Sequence, residues 1–249
     1  MPEDVFDEPS RWRHEAILAL GLDGEERIAG AVTGVAYPDA LAPILAARPD
    51  GLTTIGDLGA GLGGAAEWFR SRSGAAVLAV EPEAPATLAA RQLFPQVRIA
   101  RATAAALPWA DRTCGVVTLL GVISLLRDPG PALREAVRVA GAAAVVGIAD
   151  LFAAGDGPLV HGANVFPAVA GVAQTLSRLG FEVVDTWSAP ADVSTRWDEI
   201  GHRVDDEIER RHGADHGYAA WAEDRRQLAE LIDQRTVSAT TIVTRRRSP

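Results

Sequence analysis

The sequence predicts an α/β fold: a doubly wound, mostly parallel seven-stranded sheet with N-terminal helices and a helical cap inserted between the last two strands. Two observations lead to this prediction. Short apolar segments rich in Val, Ile and Leu alternate with segments of helical periodicity along the middle of the chain, as a parallel sheet with crossover helices requires. A glycine cluster, D-L-G-A-G-L-G-G at residues 57–64, follows the first apolar segment, and such a turn is a common ligand site in these sheets.

The elements follow in chain order, with two or three helices predicted before Leu52. The seven predicted strands are T-T-I-G-D-L, A-V-L-A-V-E, V-R-I-A-R-A, C-G-V-V-T-L-L-G, A-A-A-V-V-G-I-A-D, F-E-V-V-D-T-W-S and V-S-A-T-T-I-V-T. Helical spacing occurs between them in A-A-E-W-F-R-S-R, A-P-A-T-L-A-A-R-Q-L-F and P-A-L-R-E-A-V-R-V-A. A further helix, V-F-P-A-V-A-G-V-A-Q-T-L-S-R-L-G, is predicted to end at Gly180.

The charged region before the final strand is predicted to form a pair of helices. Apolar residues recur at three- and four-residue spacing on each side of the break H-G-A-D-H-G. The first stripe is Trp197, Ile200, Val204 and Ile208, and the second is Tyr218, Trp221, Leu228, Leu231 and Ile232. We expect one domain, made of N-terminal helices (1–50), a cofactor-binding core (51–191), a helical cap (192–235) and a final strand with its tail (236–249).

Composition excludes several function classes. The net charge of −9 argues against a nucleic-acid partner. All 24 basic residues are arginine, which excludes a Walker-A loop and a pyridoxal-phosphate Schiff base because both need lysine. The single cysteine, Cys114, excludes an internal disulfide. With an acidic N-terminus and no apolar run of about 20 residues, we expect a cytoplasmic protein with no membrane partner.

The glycine spacing by itself leaves two cofactors open. Gly59-x-Gly61-x-x-Gly64 satisfies the dinucleotide fingerprint. Glu81, at the end of the second predicted strand, could hold a ribose of NAD(P) or of S-adenosylmethionine in the same way. The glycines therefore do not decide between these two cofactors.

A wider set of landmarks resembles class I S-adenosylmethionine-dependent methyltransferases. The spacing Asp57-x-Gly59-x-Gly61-x-Gly63 is similar to their motif I, and A-V-E-P-E looks like the segment with the ribose-binding acid. A-T-A-A-A-L-P-W, residues 102–109, is similar to the G-D-A-x-x-L-P-F segment that lies along the adenine. C-G-V-V-T-L-L-G-V-I-S-L-L-R-D-P resembles the strand and turn that follow. The likeness covers roughly residues 50–150 and implies the Rossmann-like methyltransferase fold.

The resemblance also implies which residues hold S-adenosylmethionine. Asp57 would receive the ammonium directly or orient the turn through water, and the Glu81 carboxylate would accept from both ribose hydroxyls. Thr103 stands where the family commonly has an acid for the adenine amino group, and Leu119 and Leu120 replace a polar residue after the fourth strand. The expected cofactor-binding set is Asp57, Gly59, Ala60, Gly61, Gly63, Glu81, Pro82, Thr103, Ala104 and Leu120.

Three residues are candidates for acid or base chemistry. Methyl transfer from a sulfonium needs no protein nucleophile, but an oxygen or nitrogen acceptor benefits from a base. His161, after the fifth strand, is the first candidate, His202 in the cap is the second, and Asp150 could orient a substrate or a base. The expected apolar walls of the substrate pocket are Trp12, Trp109, Trp197 and Trp221. No metal site is expected, because glycines break the helix around His212 and His216.

The leading functional prediction is a methyltransferase that acts on a small molecule, of the type that modifies bacterial secondary metabolites. The alternative keeps the fold and uses S-adenosylmethionine structurally, as a methyltransferase-like cyclase or isomerase would, because fold does not fix function. An NAD(P)-dependent oxidoreductase is disfavoured, since a Tyr-x-x-x-Lys pair cannot exist without lysine. We expect a monomer or a homodimer.

Overall fold

The computed structural model describes residues 7–189 and 196–247. It contains one large sheet and one small hairpin. The strands are β1 Thr54–Leu58, β2 Ala76–Val80, β3 Arg98–Ala100, β4 Cys114–Leu120, β5 Ala140–Ala153, β6 Leu159–His161, β7 Asn164–Phe166, β8 Phe181–Ser188 and β9 Val237–Arg246. Seven of them form the sheet in the order β3-β2-β1-β4-β5-β9-β8, while β6 and β7 pair with each other.

Helices cover the sheet and lead into it. They are α1 Asp7–Ala19, α2 Gly24–Ala31, α3 Pro38–Ala46, α4 Gly64–Ser73, α5 Ala84–Leu93, α6 Gly130–Val139, α7 Val169–Arg178, α8 Arg196–His212 and α9 Tyr218–Asp233, with a 3₁₀ turn at Ile123–Leu125. None of the described helices is both long and apolar enough to cross a membrane.

The predicted fold class is confirmed. β1 pairs in parallel with β2 on one side and with β4 on the other, so the strand order reverses beside β1. β9 is antiparallel to both β5 and β8. In an open sheet of this kind, the crevice beyond the carboxyl ends of the strands at the reversal is the ligand site. The glycine-rich turn after β1 lies at that position.

Two local predictions are wrong. The segment Val165–Phe166 belongs to the hairpin strand β7 and not to a helix, which begins only at Val169. Gly162 has φ +57° and provides the left-handed turn between β6 and β7. Ile232, predicted to lie on the buried stripe of the second cap helix, is 42% exposed because α9 rests on the surface and buries none of its side chains fully.

The two cap helices lie between β8 and β9, and α8 buries the predicted residues Ile200, Val204 and Ile208. The expected start of the cap at residue 192 lies outside the described residues. Arg13 of α1 connects the N-terminal helices to α8. Its buried guanidinium donates to the Gly30 carbonyl and to the Asp205 carboxylate, each at 2.8 Å. A buried charge of this kind needs such partners, so α1, α2 and α8 are held together.

Candidate active site

The glycine-rich turn connects β1 to α4 through several left-handed residues. Gly59, Gly61 and Gly63 have φ of +77°, +53° and +84°, a region that favours glycine. A Cβ on Gly59 would lie 2.5 Å from Val122, and one on Gly64 would lie 2.7 Å from the Ile28 carbonyl oxygen. A Cβ on Gly61 would meet nothing within 4 Å. Gly59 and Gly64 are therefore explained by packing inside the protein, while Gly61 faces open space.

Glu81 braces this turn from the end of β2. One carboxylate oxygen accepts from the Gly61 N–H at 2.8 Å, and the other accepts from the Glu83 N–H at 3.0 Å. Glu81 is only 7% exposed. Burial raises the pKa of its carboxyl group, and the two N–H donors offset part of that rise. Each carboxylate oxygen retains a free lone pair. Glu81 can therefore orient the turn and accept from a ligand at the same time.

Asp57 lies on β1 beside the turn and is 1% exposed. Its Oδ1 accepts from the Thr118 hydroxyl on β4 at 2.7 Å, while its Oδ2 is buried and has no hydrogen-bond partner. Burial, with a smaller contribution from Glu81, raises the pKa of Asp57 to about 6 in spite of the Thr118 hydrogen bond. A buried carboxylate oxygen without a donor is costly, so the site is suited to a cationic or hydrogen-bonding ligand group.

The cleft around Asp57 is narrow. It has a volume of about 40 Å³, whereas pockets for drug-sized ligands measure about 300–1,000 Å³. One wall comes from the sheet and the turn, and the other comes from the connection between α2 and α3. The lining residues are Ala31, Val32, Thr33, Ala36, Asp57, Gly59, Ala60, Gly61, Ala65 and Leu120. The cleft as it stands holds only a small part of a molecule the size of S-adenosylmethionine, and a larger part enters if the α2–α3 connection moves outward.

The other predicted cofactor residues surround this cleft at the same edge of the sheet. Pro82 and Thr103 are exposed, and Ala104, in the loop that follows β3, is buried. Arg101 ties that loop to the end of β2 by donating to the Pro82 carbonyl at 2.9 Å. Gly63 is the N-cap of α4 and packs against Ala90 and Phe94. Of the residues predicted for the adenine side, Pro82 and Thr103 are thus exposed, whereas Asp57, Gly59, Ala60 and Gly61, predicted for the other end of the cofactor, line the narrow cleft.

The three acid or base candidates occupy different environments. Asp150 is 1% exposed, and its carboxylate accepts from the N–H groups of Ile123, Ser124 and Leu151. These bonds make it a brace for the 3₁₀ turn after β4. His161 is half-buried at the end of β6, in a hairpin beyond the carboxyl end of β5, and is paired with Asn164. His202 is exposed on α8.

The four tryptophans predicted as pocket walls do not meet in one pocket. Trp12 and Trp221 contact each other edge to face with ring centroids 5.8 Å apart, in a cluster with His212 and Tyr218 that joins α1 to the cap. Trp109 packs over Gly56, where a Cβ would lie 2.9 Å from the indole ring. Trp197 is half-buried against the core at the start of α8. None of the four lines the Asp57 cleft.

A second, larger groove lies between α1 and α5. It has a volume of about 340 Å³ and shares no residue with the Asp57 cleft. Its lining residues are Asp7, Arg11, His14, Ala84, Pro85, Leu88, Ala89 and Gln92. Its size does not make it the reaction site, because the unpartnered carboxylate and the glycine turn are both elsewhere. The described residues contain no cluster of His, Cys, Asp and Glu suited to a metal ion.

Two parts of the site were not predicted from the sequence. The small residues from Ala31 to Ala36 line the cleft, and Thr118 holds Asp57. The first group carries no chemical signature, since alanine and valine are common in any core. Thr118 had one weak signal, a polar residue inside the otherwise apolar strand C-G-V-V-T-L-L.

The residues present fit the cofactor that the resemblance implies. Asp57 offers an unpaired buried oxygen, Glu81 offers free lone pairs, and Gly61 leaves its backbone open to a close neighbour. Residues 56–144, which contain all three, match a family model described as a methyltransferase domain. The chain carries a class I S-adenosylmethionine-dependent methyltransferase domain. S-Adenosylmethionine is the cofactor of this domain. A comparison with curated proteins finds no significant match.

Solved structures show that the methyltransferase fold extends over most of the chain. The (4+2) cyclase SpnF has a TM-score of 0.66 at 19% identity, over 85% of this chain and 82% of its own. An S-adenosylmethionine-dependent methyltransferase from Thiobacillus denitrificans, solved with S-adenosylhomocysteine, has a TM-score of 0.65 at 16% identity, over 90% and 97%. An O-methyltransferase of a Brevibacillus brevis polyketide multienzyme has a TM-score of 0.64 at 12% identity, over 83% and 71%. These identities establish the fold alone.

Proposed function

We propose that this methyltransferase transfers a methyl group to a small molecule, of the kind modified in bacterial secondary metabolism. The observation that carries the proposal is the Asp57 carboxylate, which is buried and has one unpartnered oxygen beside an open glycine turn. The ammonium group of an amino acid would supply the positively charged hydrogen-bond donor that this oxygen lacks. When bound, S-adenosylmethionine supplies an electrophilic methyl group and leaves as S-adenosylhomocysteine.

The residues around the cleft then have distinct roles. Asp57 holds the ammonium, and Thr118 keeps that carboxylate oriented through its hydroxyl. Glu81 accepts from the ribose hydroxyls while it holds the Gly61 N–H. The segment from Ala31 to Ala36 closes over the cleft and excludes water. Positioning of this kind supplies much of the catalysis in a displacement reaction, because the reacting atoms are held at attack distance.

The nature of the acceptor follows from charge and enclosure. The net charge of −9 disfavours RNA and DNA as acceptors. The connection between α2 and α3 lines the cleft, and α8 packs against α1 and α2 behind it, an enclosure that suits a compact molecule. His161 is the proposed base if the acceptor carries a proton, because it follows β5 at the same edge of the sheet as the cleft. Among the similar structures, the Brevibacillus brevis enzyme is an O-methyltransferase of a polyketide multienzyme.

A cyclase with a structural cofactor is the second candidate function. Asp57 is the one ionisable side chain among the described residues that line the cleft, so the cleft itself supplies no base at neutral pH beyond this carboxylate. One of the similar structures, SpnF, is a (4+2) cyclase. A reaction that needs no proton transfer is compatible with such a lining.

Binding and turnover distinguish these functions. Calorimetry with S-adenosylhomocysteine is expected to show binding that Glu81→Ala weakens by about 1.5–3 kcal/mol, because two hydrogen bonds to a charged acceptor are lost. Mass spectrometry of reactions with S-adenosylmethionine and a panel of phenols, acids and amines is expected to show one added methyl group and an equal amount of S-adenosylhomocysteine. Binding with a rearranged, unmethylated product would favour the cyclase, and no binding would refute both.

A further inference from the structure

The loop from Arg101 to Thr113 carries the adenine-side residues and is not part of a helix or strand. Two side chains of helix α6, Glu135 and Arg138, hold this loop through hydrogen bonds. The Leu107 N–H donates to Glu135 Oε2 at 2.8 Å, and the Leu107 carbonyl accepts from Arg138 Nη2 at 3.3 Å. Both backbone polar groups of one loop residue are therefore satisfied by a single pair of side chains.

Arg138 fastens a second point of the same loop. Its Nη1 donates to the Trp109 carbonyl and to the Asp111 carboxylate, both at 2.8 Å. Its Nε and Nη2 donate to the two carboxylate oxygens of Glu135 at 2.6 and 2.8 Å. A planar guanidinium makes such a forked pairing with defined geometry, which an ammonium does not. Arg138 and Glu135 thus act as one unit.

The inner side of the loop is fixed by packing. Leu107 is 8% exposed, and the Trp109 ring lies over Gly56 of β1. At its other end, Arg101 donates to the Pro82 carbonyl. Thr103 lies between these anchors and is exposed.

We propose that Glu135 and Arg138 are positioning residues for the adenosine half of the cofactor. This inference rests on the proposed function, since it requires that the loop bind adenosine. Neither side chain lines the cleft. They act by holding the Leu107 and Trp109 backbone, so the loop is already ordered before a ligand binds and loses little further conformational freedom on binding. A loop ordered in advance spares the ligand that entropic cost. A partly exposed ion pair by itself contributes little, so the hydrogen bonds to the loop backbone are the important ones.

The test is the affinity for S-adenosylhomocysteine, measured by calorimetry well below the melting temperature of each variant. Glu135→Ala and Arg138→Ala are expected to weaken binding about tenfold, which corresponds to about 1.4 kcal/mol. Glu135→Gln is expected to lose less affinity than Glu135→Ala, because its amide oxygen still accepts from the Leu107 N–H although its NH2 group cannot accept from Arg138 Nε. Hydrogen exchange at residues 102–109 is expected to rise in the two alanine variants.

The matched control is Arg246→Ala. Arg246 donates to the backbone carbonyls of Val137 in helix α6 and of Ala140 and Gly141 at the start of β5, and none of these hydrogen bonds is made to the loop. It should lower the melting temperature and leave the affinity unchanged. An equal loss of affinity in Arg246→Ala, or unchanged affinity in both folded alanine variants, would overturn the positioning role. If the unmodified protein does not bind S-adenosylhomocysteine, the proposed function fails together with this inference.

Discussion

Single residues show a conflict between stability and binding, which is sharpest at Asp57. Its carboxylate is buried, and only Oδ1 is compensated, by the Thr118 hydroxyl. Burial raises the pKa of Asp57 from 3.8 to about 6, so at neutral pH the folded protein holds a charge that water would solvate better. The same charge is what a cationic group of the cofactor would neutralise. The buried Asp57 charge is therefore expected to destabilise the ligand-free protein, and a bound cationic group is expected to remove that cost.

Asp57→Asn is expected to stabilise the ligand-free protein and to abolish tight cofactor binding. Because the folded pKa lies above the unfolded one, the contribution of Asp57 to stability is full below pH 4 and is lost as the pH rises through about 6. The increase in the free energy of unfolding caused by Asp57→Asn should therefore approach about 3 kcal/mol at pH 8 and be clearly smaller at pH 5. Urea unfolding at the two pH values measures it. An equal gain at both would show that Asp57 is not the titrating group.

His161→Ala tests the proposed base. The substitution is expected to preserve cofactor affinity and to lower turnover by about 10²–10⁴-fold for an oxygen or nitrogen acceptor, because proton removal in the transition state is lost. His202→Ala is the matched control, since His202 is exposed on α8. Initial rates at saturating S-adenosylmethionine report the effect. If only His202→Ala lowered turnover, the base would lie in the cap.

Elements determine access to the cleft. The end of α2 packs directly on the glycine turn, because a Cβ on Gly64 would lie 2.9 Å from Val32 Cγ2 and 3.0 Å from the Ala31 carbonyl carbon. The connection that follows then crosses the cleft and reduces it to about 40 Å³. Gly34, with φ +68° and no neighbour within 4 Å of its missing Cβ, lies in the middle of this connection. Entry of a ligand therefore requires this segment to open.

Val32→Ala is expected to accelerate cofactor binding. Removing two partly buried methyl groups weakens the closed arrangement by about 1 kcal/mol, which raises the population of the open form and the association rate about fivefold. Stopped-flow tryptophan fluorescence with S-adenosylhomocysteine measures the rate, which should level off at high ligand concentration in the unmodified protein. Val183→Ala, at an exposed position on β8, is the control. A linear concentration dependence unaffected by Val32→Ala would contradict gating by this segment.

At the scale of the whole molecule, the N-terminal helices, the sheet and the cap form a connected structure. Arg13 joins α1 and α2 to Asp205 of α8, and Arg225 of α9 pairs with the same carboxylate. The aromatic cluster of Trp12, His212, Tyr218 and Trp221 reinforces this contact. A ligand that closes the α2–α3 connection is therefore expected to stabilise the entire fold.

S-Adenosylhomocysteine is accordingly expected to raise the melting temperature, whereas NADH is not. A ligand at 100 times its dissociation constant stabilises the folded state by about 2.7 kcal/mol. The cleft offers Asp57 to a cationic group, and a pyrophosphate would be repelled by Asp57 and Glu81. Differential scanning fluorimetry with each ligand is the measurement. A shift with NADH alone would contradict the assignment of the cofactor.

Local pattern determined much of this architecture. The central strands β1 and β4 are apolar segments, and the glycine turn between β1 and α4 consists of consecutive residues, so the order of these elements can be predicted from the sequence. The D-x-G-x-G-x-G spacing and the acid that ends β2 together predicted Asp57, Gly61 and Glu81 for the cleft, and the structure brings these three residues together. The hairpin of β6 and β7 was missed because Val165 and Phe166 read as the start of the apolar helix that follows them, which begins only at Val169.

The tertiary structure alone decided which distant residues meet. Trp12 of α1 and Trp221 of α9 pack against each other, a contact that the sequence around either residue does not reveal. Asp150 has an acid's chemistry, yet the fold places three backbone N–H groups around it. Val32 lines the cleft, and Glu135 accepts from the Leu107 N–H of the loop after β3. The sequence around these two positions shows no motif that predicts either role. These contacts depend on how helices settle on the sheet, and packing between distant segments leaves no periodicity in the chain.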